Sequence, residues 1–139
     1  MNLKCLIVDD DDLSRGIIED LIEDTEQLEL VKSCSDSIEA FNILKKSNID
    51  VVFLDVEMPK MDGLELLKNL SELPQVVLVT SHAKYAVDSY EYDVTDFIKK
   101  PITYARFLKS VNKILLKFEA NQVNISSKNR TIFIRSEER

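Results

Sequence analysis

The stretch Val51-Val52-Phe53-Leu54 is apolar at every position and is closed by Asp55. A strand of this kind has no polar face to turn to water, so both of its faces are buried. Gln75–Thr80 is continuous in the same way, and Leu3–Val8 is a further apolar run closed by acids. Strands buried on both faces form parallel sheets covered by helices. The intervening segments supply those helices. Asp12 caps a helix with Leu13, Ile17, Leu21 and Ile22 on its apolar face, and Asp36 caps one with Ile38, Phe41 and Leu44. The Asp62-Gly63 turn precedes Leu64, Leu67 and Leu70. Ala83–Tyr92 carries Ala86, Val87 and Tyr90, and Thr103 caps a helix with Phe107, Val111, Ile114, Leu115 and Phe118. Strands over Leu28–Cys34, Ile49–Val56 and Val94–Lys99 complete the set. The expected architecture is α/β: a doubly wound, five-stranded parallel sheet with five helices.

In such a sheet, ligands bind outside the carboxyl ends of the strands. Those ends carry Asp9 and Asp10 on the first strand, Asp55 on the third, Thr80 and Ser81 on the fourth, and Lys99, Lys100 and Pro101 on the fifth. The topology therefore gathers three carboxylates, a hydroxyl and an ammonium on one rim. Each has a plain explanation alone: a solvated acidic turn, a helix cap, a surface lysine. Asp55 resists one, because a buried carboxylate without a role is expensive. Clustered carboxylates repel and call for a cation. Hard oxygens with room for water suit Mg²⁺, which also accepts phosphate oxygens. An aspartate placed this way can take a phosphoryl group covalently. Lys100 would offer a point charge and Thr80 a hydroxyl donor to the phosphate.

Composition narrows the partners. Of 139 residues, 45% are apolar, enough for one buried core. Residues 1–98 hold 8 Lys+Arg against 22 Asp+Glu, whereas residues 99–139 hold 10 against 3. The acidic part argues against nucleic acid as a direct ligand, since phosphate contacts dominate that affinity. The basic end is either a solvated helix face or a lead into a basic domain. No run approaches the roughly 18 apolar residues of a membrane span, and Cys5 and Cys34 lie in apolar runs. Two buried, reduced thiols and a cytoplasmic location are expected. After Phe118 the chain turns polar, and Thr131–Arg135 alternates like one more strand.

The segments LKCLIVDDDD, VVFLDVEMPKMDGLELL, VVLVTSHAKYA and DFIKKPI resemble the receiver domains of two-component response regulators, over residues 3 to about 120. The resemblance implies the flavodoxin-like receiver fold and a cis peptide at Lys100-Pro101. It implies Asp9 and Asp10 as an acidic pair for Mg²⁺, with Asp55 and the backbone carbonyl of Glu57 completing the site. It further implies Asp55 as phosphoacceptor, Thr80 as switch hydroxyl, Phe97 as switch aromatic and Lys100 as the phosphate-contacting lysine. Glu57 and His82, each two residues beyond a site residue, would tune the phosphoryl lifetime. The tracts AKYAVDSYEYDVTDFIKKPI and RFLKSVNKI look like receivers that precede a LytTR-type DNA-binding domain. On that reading residues 1–120 are the receiver, and residues 121–139 are a linker with the first strand of an effector outside the chain.

The implied function is a phosphorylated switch rather than an enzyme. A histidine kinase or phosphotransfer protein donates the phosphoryl group. The face of the fourth helix, fifth strand and fifth helix then changes and forms a homodimer, with DNA reached only through the further domain. Three other classes fit less of the pattern. A Mg²⁺-dependent phosphatase with an aspartyl nucleophile usually has a second acid two residues on, followed by threonine; here Glu57 is followed by Met58. A flavin binder would have a Gly/Ser/Thr-rich phosphate loop after the first strand, and none is present. A binding module that never takes phosphate would have no use for the full set of rim residues.

Overall fold

The computed structural model describes residues 2–88 and 92–138. Five strands form one parallel sheet: β1 (Leu3–Val8), β2 (Leu28–Cys34), β3 (Val51–Leu54), β4 (Gln75–Thr80) and β5 (Asp96–Lys99). Their order is β2-β1-β3-β4-β5, so the chain reverses direction across the sheet between β1 and β3. The connections are α1 (Asp12–Glu23), α2 (Ser37–Lys46), α3 (Gly63–Lys68) and α4 (Tyr85–Asp88), and α5 (Tyr104–Glu138) follows β5. The expected doubly wound sheet with five helices is present.

Side-chain alternation divides the core in two. Cys5, Ile7, Val51, Phe53, Val77 and Val79 face α1 and α5, and Phe53 stacks on Phe107 with ring centroids 5.6 Å apart. Leu6, Val8, Val52, Leu54, Val76 and Leu78 form the second core, which takes in Ala40 of α2 and Leu66 and Leu67 of α3. Both cysteines are buried and unpaired, and burial pushes each thiol up to about 12. Among the described residues, no helix is long and apolar enough to cross a membrane.

Five expectations need correction. The cap of α1 is Asp11 rather than Asp12; its carboxylate accepts from the Leu13 N–H and the Ser14 hydroxyl. Four consecutive acids offer several caps, and pattern alone does not choose between them. Of the expected face, Ile22 is buried and Leu21 packs on the core, but Leu13 is 72% and Ile17 37% exposed, and Ile18 is buried in their place. In α2, Phe41 and Leu44 pack on the core as expected and Ala40 is buried beside them, its small size letting the helix approach the sheet, while Ile38 is half exposed. Helix α4 is shorter than Ala83–Tyr92, and the expected apolar position Tyr90 lies outside the described residues. Lastly, α5 runs unbroken to Glu138, so residues 131–135 are helical where a strand was expected. An isolated strand leaves its backbone donors and acceptors unpaired, whereas a helix pairs them internally.

The β3–α3 junction fixes the rim beside it. Asp62 and Glu65 form a reciprocal capping box at the start of α3. Gly63 donates to the Val56 carbonyl at 2.9 Å. A Cβ at Gly63 would lie 2.5 Å from the Asp55 carbonyl oxygen and 3.0 Å from Val56 Cα. Backbone cannot yield as a flexible side chain can, so Gly63→Ala is expected to destabilise the fold by about 1–3 kcal/mol, the range for overpacking. Urea unfolding measures this; an unchanged midpoint would show that the junction has slack.

Candidate functional site

Strand register builds the rim. Val8 pairs with Leu54, so the next residues, Asp9 and Asp55, stand on adjacent strands. Thr80 pairs with Lys99, which places Lys100 one step beyond it. The ladder continues just past the strands, with Asp55 N–H donating to the Val8 carbonyl and Lys100 N–H to the Thr80 carbonyl, each at 2.8 Å. The Lys100-Pro101 peptide is cis, as the resemblance implies.

Asp9 and Asp55 are buried, whereas Asp10 is exposed. One carboxylate oxygen from each of these three lies within 4.8 Å of the others. Two unit charges about 4 Å apart repel by roughly 4 kcal/mol at an effective dielectric near 20. Lys100 Nζ answers part of this, standing 2.9 Å from Asp9 Oδ2 and 3.4 Å from Asp55 Oδ2. Burial and the neighbouring Asp9 push the Asp55 carboxyl up to about 6, against the opposing pull of Lys100 and the Glu57 N–H. Burial would lower the Lys100 ammonium, but Asp9 and Asp55 outweigh it and hold the group charged.

Three carboxylates and one ammonium leave two formal negative charges on the rim. Apart from its ion pair with Lys100, Asp9 Oδ2 is a buried oxygen without a hydrogen bond. Oxygen donors, a double negative charge and an unsatisfied buried oxygen fit a hard divalent cation.

The other predicted residues border this cluster. Thr80 is fully buried, and its hydroxyl accepts from the His82 N–H at 3.4 Å; among the described residues it bonds to none of the three carboxylates. Glu57 donates its N–H to Asp55 Oδ1 at 3.2 Å. Its side chain meets His82 Nε2 at 3.0 Å, joining the loops after β3 and β4. Phe97 is half-buried against the core formed with α2 and α3.

Several residues around the site were not anticipated. Buried Asp96 accepts from both guanidinium nitrogens of Arg106 at 2.8 and 2.9 Å, from Lys113 at 3.0 Å and from the Ser110 hydroxyl. It also accepts from the Phe97 N–H at 2.8 Å, and Arg106 donates to the Phe97 carbonyl at 2.9 Å. Burial would raise the Asp96 carboxyl, yet these donors hold it well below the usual carboxylate range. The clamp therefore grips the main chain of Phe97 from both sides. Its only trace in the sequence is a charged residue opening an apolar strand. Arg15, packed under the Asp9–Asp10 turn, is another such residue. The exposed Leu13 and Ile17 line a cavity of about 300 Å³ with Pro101, Ile102 and Lys100, directly beside the rim.

The sequence matches the response regulator receiver domain family over residues 5–112. It is 34% identical over 115 residues to an uncharacterized response regulatory protein of Vibrio cholerae, covering 81% of this chain and 48% of that relative. It is 31% identical over 130 residues to the transcriptional regulatory protein BtsR of Salmonella typhi, covering 92% of this chain and 54% of the relative. The chain thus spans about half the length of the curated relatives it matches. Among solved structures, the response regulatory domain of mrkE from Klebsiella pneumoniae superposes with a TM-score of 0.78 at 29% identity, covering 85% of this chain and 99% of that one. The REC domain of AraT, a response regulator from Geobacillus stearothermophilus, gives 0.77 at 30% identity, covering 88% and 99%. With its fold, its acidic rim and these matches in agreement, the chain belongs to the response regulator receiver domain family of two-component signalling.

Proposed function

We propose that Asp55 is the phosphoacceptor of this receiver, loaded by a histidine kinase or phosphotransfer protein with Mg²⁺ at Asp9, Asp10, Asp55 and the Glu57 carbonyl. The observation that carries the proposal is the convergence of Asp9, Asp10 and Asp55 with Lys100 at one rim. A carboxylate oxygen of Asp55 attacks the phosphorus of a phosphohistidine. The P–O bond forms as the P–N bond breaks, the imidazole leaves, and water later hydrolyses the acyl phosphate. Mg²⁺, when bound, neutralises charge on the phosphoryl oxygens and relieves the repulsion among the three acids. Lys100 already touches Asp55, so it meets the new phosphoryl group without a large movement.

Among the described residues the Thr80 hydroxyl has a long bond to the His82 N–H to give up, and it then turns to the phosphoryl group. Phe97 then moves into the space that Thr80 leaves. Moving a two-state switch from 1:99 to 99:1 needs about 5.5 kcal/mol, and two or three charge-assisted hydrogen bonds of roughly 1.5–3 kcal/mol each cover that. The altered α4–β5–α5 face forms a homodimer and passes the signal to a C-terminal domain of LytTR type, through which DNA is reached. The receiver itself spans residues 1–120, with residues 121–139 as the link to that domain. As a receiver loaded by a kinase, the chain works in the cytoplasm.

The donor protein seats its own apolar surface in the cavity lined by Leu13, Ile17, Pro101 and Ile102, which explains why α1 leaves two large apolar side chains in water.

Three measurements follow. With acetyl phosphate and Mg²⁺, intact mass is expected to show one phosphoryl adduct that EDTA and Asp55→Asn both abolish; no adduct where a control receiver is labelled would favour a module that never takes phosphate. In the same assay, His82→Ala is expected to speed loss of the adduct roughly two- to fivefold, the scale of an exposed ion pair, and an unchanged decay would remove the Glu57–His82 pair from lifetime control. Leu13→Asp is expected to slow transfer from a phosphorylated kinase about tenfold, the scale of one apolar anchor, without slowing acetyl phosphate. Equal loss with both donors would place Leu13 in the chemistry or the fold rather than in docking.

A further inference from the structure

Asp10 is the least supported member of the acidic rim. Its side chain is exposed, and among the described residues its carboxylate has no hydrogen bond or ion pair. Asp9, by contrast, is held from several sides, although its Oδ2 has an ion pair and no hydrogen bond. Its N–H donates to the Cys34 carbonyl at 3.0 Å, Oδ1 accepts from the Asp11 N–H at 2.9 Å, and Oδ2 meets Lys100. The aim of Asp10 is therefore set by the peptide that joins it to Asp9.

One side chain holds that peptide. Arg15, one turn into α1, donates from Nη1 to the Asp9 carbonyl at 2.7 Å. Its Nη2 contacts Asp12, and its side chain is only 17% exposed while Asp12 is 92% exposed. The Asp12 contact is a surface pair of little strength; the bond to the Asp9 carbonyl is the sheltered one. The Asp9 carbonyl lies past the end of β1 and before the cap of α1, where neither ladder nor helix supplies a donor.

We infer that Arg15 is a positioning residue for the divalent cation, fixing the Asp9–Asp10 peptide so that both carboxylates face the same point. The inference rests on the Mg²⁺ reading proposed above. As a mere nearby cation, Arg15 would repel Mg²⁺, and removing its charge would tighten binding. As a positioning residue, its removal weakens binding. The planar fork matters as well as the charge, because its two separate nitrogens reach the Asp9 carbonyl and Asp12 at once, where a lysine would have to bridge both from a single nitrogen.

The test is titration of MgCl₂ into the wild-type chain, Arg15→Gln and Arg15→Lys, followed by calorimetry and by the amide resonances of Asp10 and Asp11. Melting curves in EDTA show first that each variant is folded. Arg15→Gln is expected to raise the Mg²⁺ Kd by roughly tenfold, the low end for partners that orient metal ligands, and Arg15→Lys to shift it in the same direction. Phosphorylation by acetyl phosphate should then need more Mg²⁺ to reach half-rate while keeping the wild-type rate at saturating Mg²⁺. Arg15→Gln binding Mg²⁺ as tightly as wild type, or more tightly, would overturn the inference. A drop in the saturated rate with Kd unchanged would overturn it too, by moving Arg15 into the chemistry. Wild type that binds no Mg²⁺ would instead sink the metal reading itself, and this inference with it.

Discussion

Lys100 faces two buried carboxylates, Asp9 at 2.9 Å and Asp55 at 3.4 Å, and the rim is arranged around that contact. Without the ammonium, two acids on neighbouring strands would sit in a largely apolar sheet with nothing to offset their charge. Breaking a buried pair by removing one partner typically costs about 3–5 kcal/mol. The parallel sheet makes the contact possible, because parallel strands all end on the same side. Adjacent register then places Asp9 beside Asp55, and the β4–β5 pairing carries Lys100 up to them. With Asp10 counted, the rim keeps two negative charges beyond the one that Lys100 offsets, a balance that suits a divalent cation.

The fold was largely legible because it follows from burial. Apolar runs such as Val51–Leu54 admit few placements other than the middle of a covered sheet, and all four residues are buried. The candidate site was legible for a related reason: Asp55 ends such a run, and a carboxylate there demands a partner. Helix phase was harder to read. Leu13 and Ile17 are as apolar as Ile18 and Ile22, and periodicity alone does not say which of two overlapping stripes faces the sheet. That two apolar side chains stand in water beside the rim can be seen only once the core has been assigned.

The residues that escaped sequence reading share one property: they act through hydrogen bonds to the main chain. Arg106 and Asp96 together bond the carbonyl and N–H of Phe97, and Arg15 bonds the carbonyl of Asp9. Arginines on amphipathic helices look like solvated surface until the backbone groups they reach are known. The far end of α5 escaped for another reason. Thr131–Arg135 has a strand's alternation but is helical here, since short alternation predicts a strand only where a pairing edge exists. Held to β5 by Arg106 and Lys113, α5 shares its anchor with the main chain of Phe97.

The most direct test is to locate the phosphoryl group chemically. After reaction with acetyl phosphate and Mg²⁺, borohydride reduces an aspartyl phosphate to homoserine, and peptide mapping reads the position. Homoserine at position 55 alone, absent when Mg²⁺ is withheld, is the expected product. Trapping at Asp9 or Asp10, or phosphate retained on His82 or a hydroxyl while Asp55 stays intact, would contradict the assignment of Asp55 as the acceptor.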